Sequence, residues 1–188
     1  MTQQLILAAK RAGSGSQGGV NMKRLSILAI VIIICISVSA IVFAQEDVKK
    51  YPSCKYCGMD RDKFAHSRAL IEYEDGMVVP LCSIHCAAVD LSINIDKTPK
   101  VIWVGDYGTK NLVDVEKAFW VIGGSKMGVM TKRAKWAFEK KEGAETFKRE
   151  NGGDLANFEQ AIKASYEDMY QDTKMIRERR KMKKIEHK

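Results

Sequence analysis

Four cysteines stand in two close pairs, Cys54-Lys55-Tyr56-Cys57 and Cys82-Ser83-Ile84-His85-Cys86, with 24 residues between them. A C-x2-C knuckle followed by a C-x3-C knuckle lets two short segments converge on one ion. Cys57 also runs directly into Gly58-Met59, which places a thioether two residues beyond a thiolate. Thiolate and thioether together favour Cu(I), zinc or an iron–sulfur cluster over hard cations.

Three uses of these cysteines fit the pattern. Two disulfides are the default for four cysteines in an exported protein. Pairs this close shut only tiny loops, however, and as staples they would constrain the unfolded chain little; pairing of one knuckle with the other stays open among the three connectivities. A closed tetrahedral zinc site would use Cys54, Cys57, Cys82 and Cys86. A Cu(I) site would use some of the thiolates with Met59, since thioether is a poor zinc ligand. Spacing does not separate zinc from copper.

Met127 is a further soft candidate, because Gly123-Gly124-Ser125-Lys126-Met127-Gly128 is a loop in which a core methionine has little reason to sit. Met130 is close by. His85 points away from any ion on which Cys82 and Cys86 converge, and His66 and His187 stand isolated. Catalytic patterns are missing from the sequence. A reactive C-x-x-C could exchange disulfides, but thioredoxin-like proteins place that pair at a strand-to-helix junction, whereas a hairpin follows here. No phosphate-binding loop, Ser/His/Asp order or Glu-x-x-His pattern occurs, so the expectation is a binding protein rather than an enzyme.

The elements that must position these residues follow a leader. Residues 1–44 read as a leader with a signal peptide or N-terminal anchor. Residues 1–21 look like no part of a signal sequence; Met22-Lys23-Arg24 opens the signal segment, Leu25 to Phe43 is apolar and Ala44 offers a cleavage position. Cys35 follows Ile33-Ile34 rather than a small residue, which argues against lipid attachment. Lys23 and Arg24 stay inside, so the body is expected in the periplasm or on the outer face of the cytoplasmic membrane. The net charge of +8 is concentrated at the ends: residues 45–173 carry 19 basic and 21 acidic side chains. That balance gives no support to nucleic acid as a partner. The basic tail, 171–188, is a solvated helix end or a contact for anionic lipid or an acidic partner.

Arg68 to Tyr73 and Met77 to Leu81 form a hairpin about Asp75-Gly76. Ser83 then caps a helix to about Ser92. This is the order of a treble-clef-like metal unit, spanning 45–105. Strands follow over Val101–Val104, Leu112–Val115, Ala118–Ile122 and Trp136–Phe138, then a helix over Glu142–Arg149 ending at Asn151-Gly152-Gly153; residues 106–170 make up a second α+β unit. Asp154 is expected to cap a long helix whose stripe is Leu155, Phe158, Ile162, Tyr166 and Met169. The fold class is α+β: two small related β-hairpin-plus-helix units, around 68–94 and 112–151, with a long C-terminal helix.

Cys54-Lys55-Tyr56-Cys57-Gly58-Met59, the Asp75-Gly76 hairpin, Ala118-Phe119-Trp120-Val121-Ile122-Gly123, Met127-Gly128 and Phe147…Asn151-Gly152-Gly153 resemble NosL, the nitrous oxide reductase accessory proteins. The likeness covers roughly residues 52–165. It implies a Cu(I)-binding protein outside the cytoplasmic membrane, monomeric or weakly associating. Such a protein takes copper from a donor and passes it to the maturation machinery of nitrous oxide reductase by ligand exchange. It also implies copper ligands at Cys57, Met59 and Met127. The pair Cys82/Cys86 is outside the basic family pattern and is similar to the second half of the treble-clef modules called TRASH or YHS.

Overall fold

The computed structural model describes residues 46–186; the apolar run 25–43, the cleavage position, Cys35 and His187 lie outside the described residues. The polar lead-in forms a short helix, α1 (Glu46–Lys50), with acids in its first turn and lysines in its last, the arrangement a helix dipole favours. Asp47 anchors it, with its carboxylate 2.9 Å from Arg61 and 2.8 Å from Arg68. Both arginines are fully buried.

Strands β1 (Ala69–Tyr73) and β2 (Val78–Leu81) form the expected hairpin. Gly76 takes the turn at φ +85°, and Asp75 accepts a hydrogen bond from the Met77 amide. Helix α2 (Ile84–Ile93) follows, with Ser83 in extended backbone at its N-cap but without a side-chain cap bond. β3 (Pro99–Gly105) and β4 (Leu112–Asp114) complete an antiparallel sheet in the order β2-β1-β3-β4.

The second sheet has the order β6-β5-β7 and contains β5 (Phe119–Ile122) and β6 (Lys135–Phe138). Helix α3 (Lys141–Asn151), strand β7 (Asp154–Ala156) and helix α4 (Phe158–Glu186) follow. The protein is thus α+β, with a hairpin followed by a helix in each sheet and a long C-terminal helix. The sheets touch where Tyr107 donates its amide to the Ala137 carbonyl at 2.8 Å. Ile71, Val79, Leu81, Val121, Trp136 and Phe147, from both sheets and α3, belong to one continuous core.

Three local expectations are corrected. Leu112 pairs with Gly105, so β4 stays in the first sheet, and the second hairpin is β5–β6 rather than one starting at 112. Asp154 lies opposite Ile122 in β7 and does not cap the long helix. That helix starts instead with a reciprocal pair: Gln160 donates its amide to the Asn157 side chain, and Asn157 donates its own to the Gln160 side chain, a capping box. The buried stripe of α4 is Ala161, Ala164, Ser165, Asp172 and Met175, while Leu155 and Tyr166 are exposed. Small side chains let this helix lie close against α2 and β5, and a stripe of larger apolar residues would hold it off.

Candidate metal centre

The first knuckle is built by its backbone. Gly58 donates to the Cys54 carbonyl at 3.0 Å and Cys54 to the Met59 carbonyl at 2.9 Å. Gly58 stands at φ +71°, a conformation that costs a glycine nothing and a side-chain-bearing residue about 1 kcal/mol or more. Lys55 then donates to the Pro80 carbonyl and lays the knuckle against β2. On the other side the Tyr56 hydroxyl donates to the fully buried Asp90 of α2, whose second oxygen accepts from Tyr73 at 2.6 Å. The guanidinium of Arg61 spans both knuckles, donating to the Tyr51 carbonyl at 2.8 Å and the Leu81 carbonyl at 3.0 Å.

These braces bring all four cysteines together. Their sulfurs lie within 4.8 Å of one another, with Cys57–Cys82 at 3.4 Å and Cys82–Cys86 at 3.7 Å. None of the four is disulfide-bonded. A zinc–sulfur bond of about 2.3 Å sets the edge of a tetrahedron of thiolates at about 3.8 Å, close to the observed separations. Three of the thiols are buried and the fourth, Cys57, is half-buried. The donor set and its spacing fit a single soft ion.

Protons are shared unequally within the cluster. Hydrogen bonds from Cys57, Cys82 and Cys86 stabilise the Cys54 thiolate and hold that thiol far below the usual range. Cys82 and Cys86, as donors to Cys54 and Cys57, are pushed well up. The cluster thus carries its first negative charge more readily than its last.

The structure brings Cys57 and Met59 to one wall of a cleft of about 480 Å³, with Met127 also on its lining. Cys54, Cys82 and Cys86 do not reach that lining among the described residues. Met127 is exposed, at 71 %. Its loop is tied down by Ser125, whose amide donates to the Asn151 carbonyl at 2.7 Å, and by Gly123, which donates to Ala134. Gly128 has no room for a side chain, since a Cβ there would meet Ala134 Cα at 2.9 Å.

Sequence reasoning did not place Met175, Arg179, Arg180 and Lys183 of α4 at this cleft, nor assign His66 and Met130 to it. His66 sits in an aromatic cluster, its ring 5.5 Å from Trp136 and 5.8 Å from Tyr107, and burial keeps it neutral to lower pH than usual. His85 turns away from the sulfurs, as expected, with Nδ1 3.4 Å from the Asp172 carboxylate of α4.

The fold and site define a two-sheet α+β protein that gathers thiolates and thioethers in one region. The chain matches the NosL family over residues 45–166 and belongs to it. Among solved structures it is similar to the copper chaperone NosL from Shewanella denitrificans, at 21 % identity and TM-score 0.47, covering 57 % of this chain and 87 % of that one. It is also similar to the apo-NosL protein from Achromobacter cycloclastes, at 24 % identity and TM-score 0.35, covering 48 % and 81 %. No curated protein matches it.

Proposed function

We propose that this protein is an exported Cu(I) metallochaperone that accepts copper from a donor and hands it, by ligand exchange, to nitrous oxide reductase maturation or a related exported cuproprotein. The observation that carries this is the joining of a half-buried thiolate, Cys57, with Met59 and an exposed Met127 at one open cleft. Soft, low-coordinate donors hold Cu(I) while leaving room for a partner's ligands. Family membership supports copper as the cargo. The basic and apolar segment 22–43 supports export. Each transfer leaves the copper oxidation state unchanged.

The test is anaerobic Cu(I) titration of the full chain against a chromophoric chelator. Near-stoichiometric binding, weakened by Met127→Ile and abolished at the cleft by Cys57→Ser, supports chaperoning. A chain that never withdraws Cu(I) from the chelator overturns it.

A second reading has its own observation. Cys54, Cys82 and Cys86 are 3 %, 0 % and 2 % exposed at near-tetrahedral spacing, which suits a closed zinc site in an interaction module. In that case chelation of the ion unfolds the protein outright.

A further inference from the structure

The two donor sets share one atom. Cys57 is the only member of the four-thiol cluster that also lines the thioether cleft among the described residues. We infer that the cluster holds a resident tetrahedral divalent ion, Zn²⁺ by its donor chemistry, and that the Cys57 sulfur bridges this ion to cargo Cu(I) bound by Met59 and Met127. The inference rests on the copper reading above and assigns it two metals in place of one.

Access separates the two roles. Cargo must meet a partner's ligands, and three cluster sulfurs are sealed in the core with Ile71, Leu81 and Ala87. A closed four-thiolate shell is the architecture of a structural ion, whereas transfer needs an open position. The cleft supplies that opening, with thioethers at Met59, Met127, Met130 and Met175. Among the described residues it supplies only one thiolate. Copper held there by a thiolate must therefore use the sulfur already committed to the cluster.

The chemistry permits this. Each cysteine that is still protonated loses its S–H proton to solvent as the divalent ion binds, and a thiolate that has given one lone pair to a metal keeps others. Cu(I) adds to such a lone pair with no bond broken and no electron transferred. Four thiolates around a divalent ion leave a net charge of −2. The buried Arg61 and the N-terminus of α2, flanked by Cys82 and Cys86, offset part of it. A monovalent cation at the bridging sulfur offsets more. The resident ion thus keeps Cys57 deprotonated and fixed, while its partly spent donor strength keeps copper removable.

The test uses the full chain in detergent under anaerobic conditions, with Co²⁺ as a coloured substitute for Zn²⁺. One equivalent of Co²⁺ should give thiolate-to-cobalt absorption. One equivalent of Cu(I), added under chelator competition, should then shift those bands without bleaching them, and copper X-ray absorption of the Zn²⁺/Cu(I) form should show a metal scatterer beyond the sulfur shell. Met127→Ile, at an exposed position, should weaken Cu(I) by about tenfold or more and leave the cobalt bands intact. Cys82→Ser should abolish the cobalt bands. Loss of one Co²⁺ for each Cu(I) added would make the cluster itself the cargo site and overturn the bridge, with the copper reading intact. Cobalt bands that persist while no Cu(I) is taken up would overturn both.

Discussion

Cys57 and Cys82 hold their sulfurs 3.4 Å apart across 25 positions of sequence, yet Cys57 borders an open cleft and Cys82 is wholly buried. The Cys57 thiol is also brought down to about 7: its hydrogen bond with Cys54 raises it, but those with Cys82 and Cys86 outweigh that effect. A thiol that is both reachable and ionised near neutrality reacts first. Brief iodoacetamide treatment of the metal-free protein should label Cys57 ahead of the other three, with a rate that rises through about pH 7 and then levels. Peptide mass spectrometry after metal loading should show that label lost. Labelling that begins at Cys86 would place the accessible face of the cluster elsewhere.

Asp47 should govern acid stability. Burial raises its carboxyl, but hydrogen bonds and charges from Arg68 and Arg61 prevail and hold it below its ordinary value. A carboxylate depressed in the folded state contributes stability that is fully present above its unfolded value near 3.9 and is lost as pH falls through the lower folded value. Asp47→Asn removes the carboxylate that pairs with two buried guanidiniums and should cost about 3–5 kcal/mol at pH 7 in urea unfolding. The gap between variant and parent should narrow below about pH 4. A gap that is independent of pH would mean the aspartate acts by shape rather than by charge.

Gly128 positions Met127. A methyl at 128 would lie 2.6 Å from the Thr131 side chain and 2.9 Å from Ala134 Cα, so the loop must move. Gly128→Ala should cost about 1–3 kcal/mol and reduce Cu(I) affinity, whereas Met127→Ile, at an exposed site, should reduce affinity and leave stability within about 0.5 kcal/mol. Thermal melts beside chelator competition separate the two. Unchanged copper binding in Gly128→Ala would remove the loop from the site.

What the sequence makes legible is local. The cysteine knuckles, the Asp75-Gly76 turn and β1, β2 and α2 are each encoded within a few consecutive residues, and they form where the spacing puts them. The packing of α4 is not legible in the same way. Its buried face is alanines, a serine and Asp172, which carry little hydrophobic signal, so Tyr166 and Leu155 read as core although both are exposed. β7 is a three-residue strand defined only by its partner β5. His66 and Met175 reach the cleft through tertiary contacts that no short-range pattern encodes. Buried Arg61 and Arg68 are hidden for a related reason: an arginine is assigned to the surface until its partners are known.

The cations of α4 should tune how firmly cargo is held. Arg179, Arg180 and Lys183 line the same cleft as Cys57, Met59 and Met127, and each positive charge opposes a bound Cu⁺ by an amount set by distance and screening. Replacing all three with Gln should therefore tighten Cu(I) binding a few-fold at low salt. Because these side chains are exposed, the effect should fade as the screening length falls from about 10 Å at 0.1 M salt to about 3 Å at 1 M. Comparing variant and parent at each salt concentration cancels the chelator's own dependence on ionic strength. A difference that is constant with salt would mean the substitutions act through the packing of α4 on Met175. A loss of affinity would mean that these residues hold the cleft closed around the metal, and that their charge is secondary.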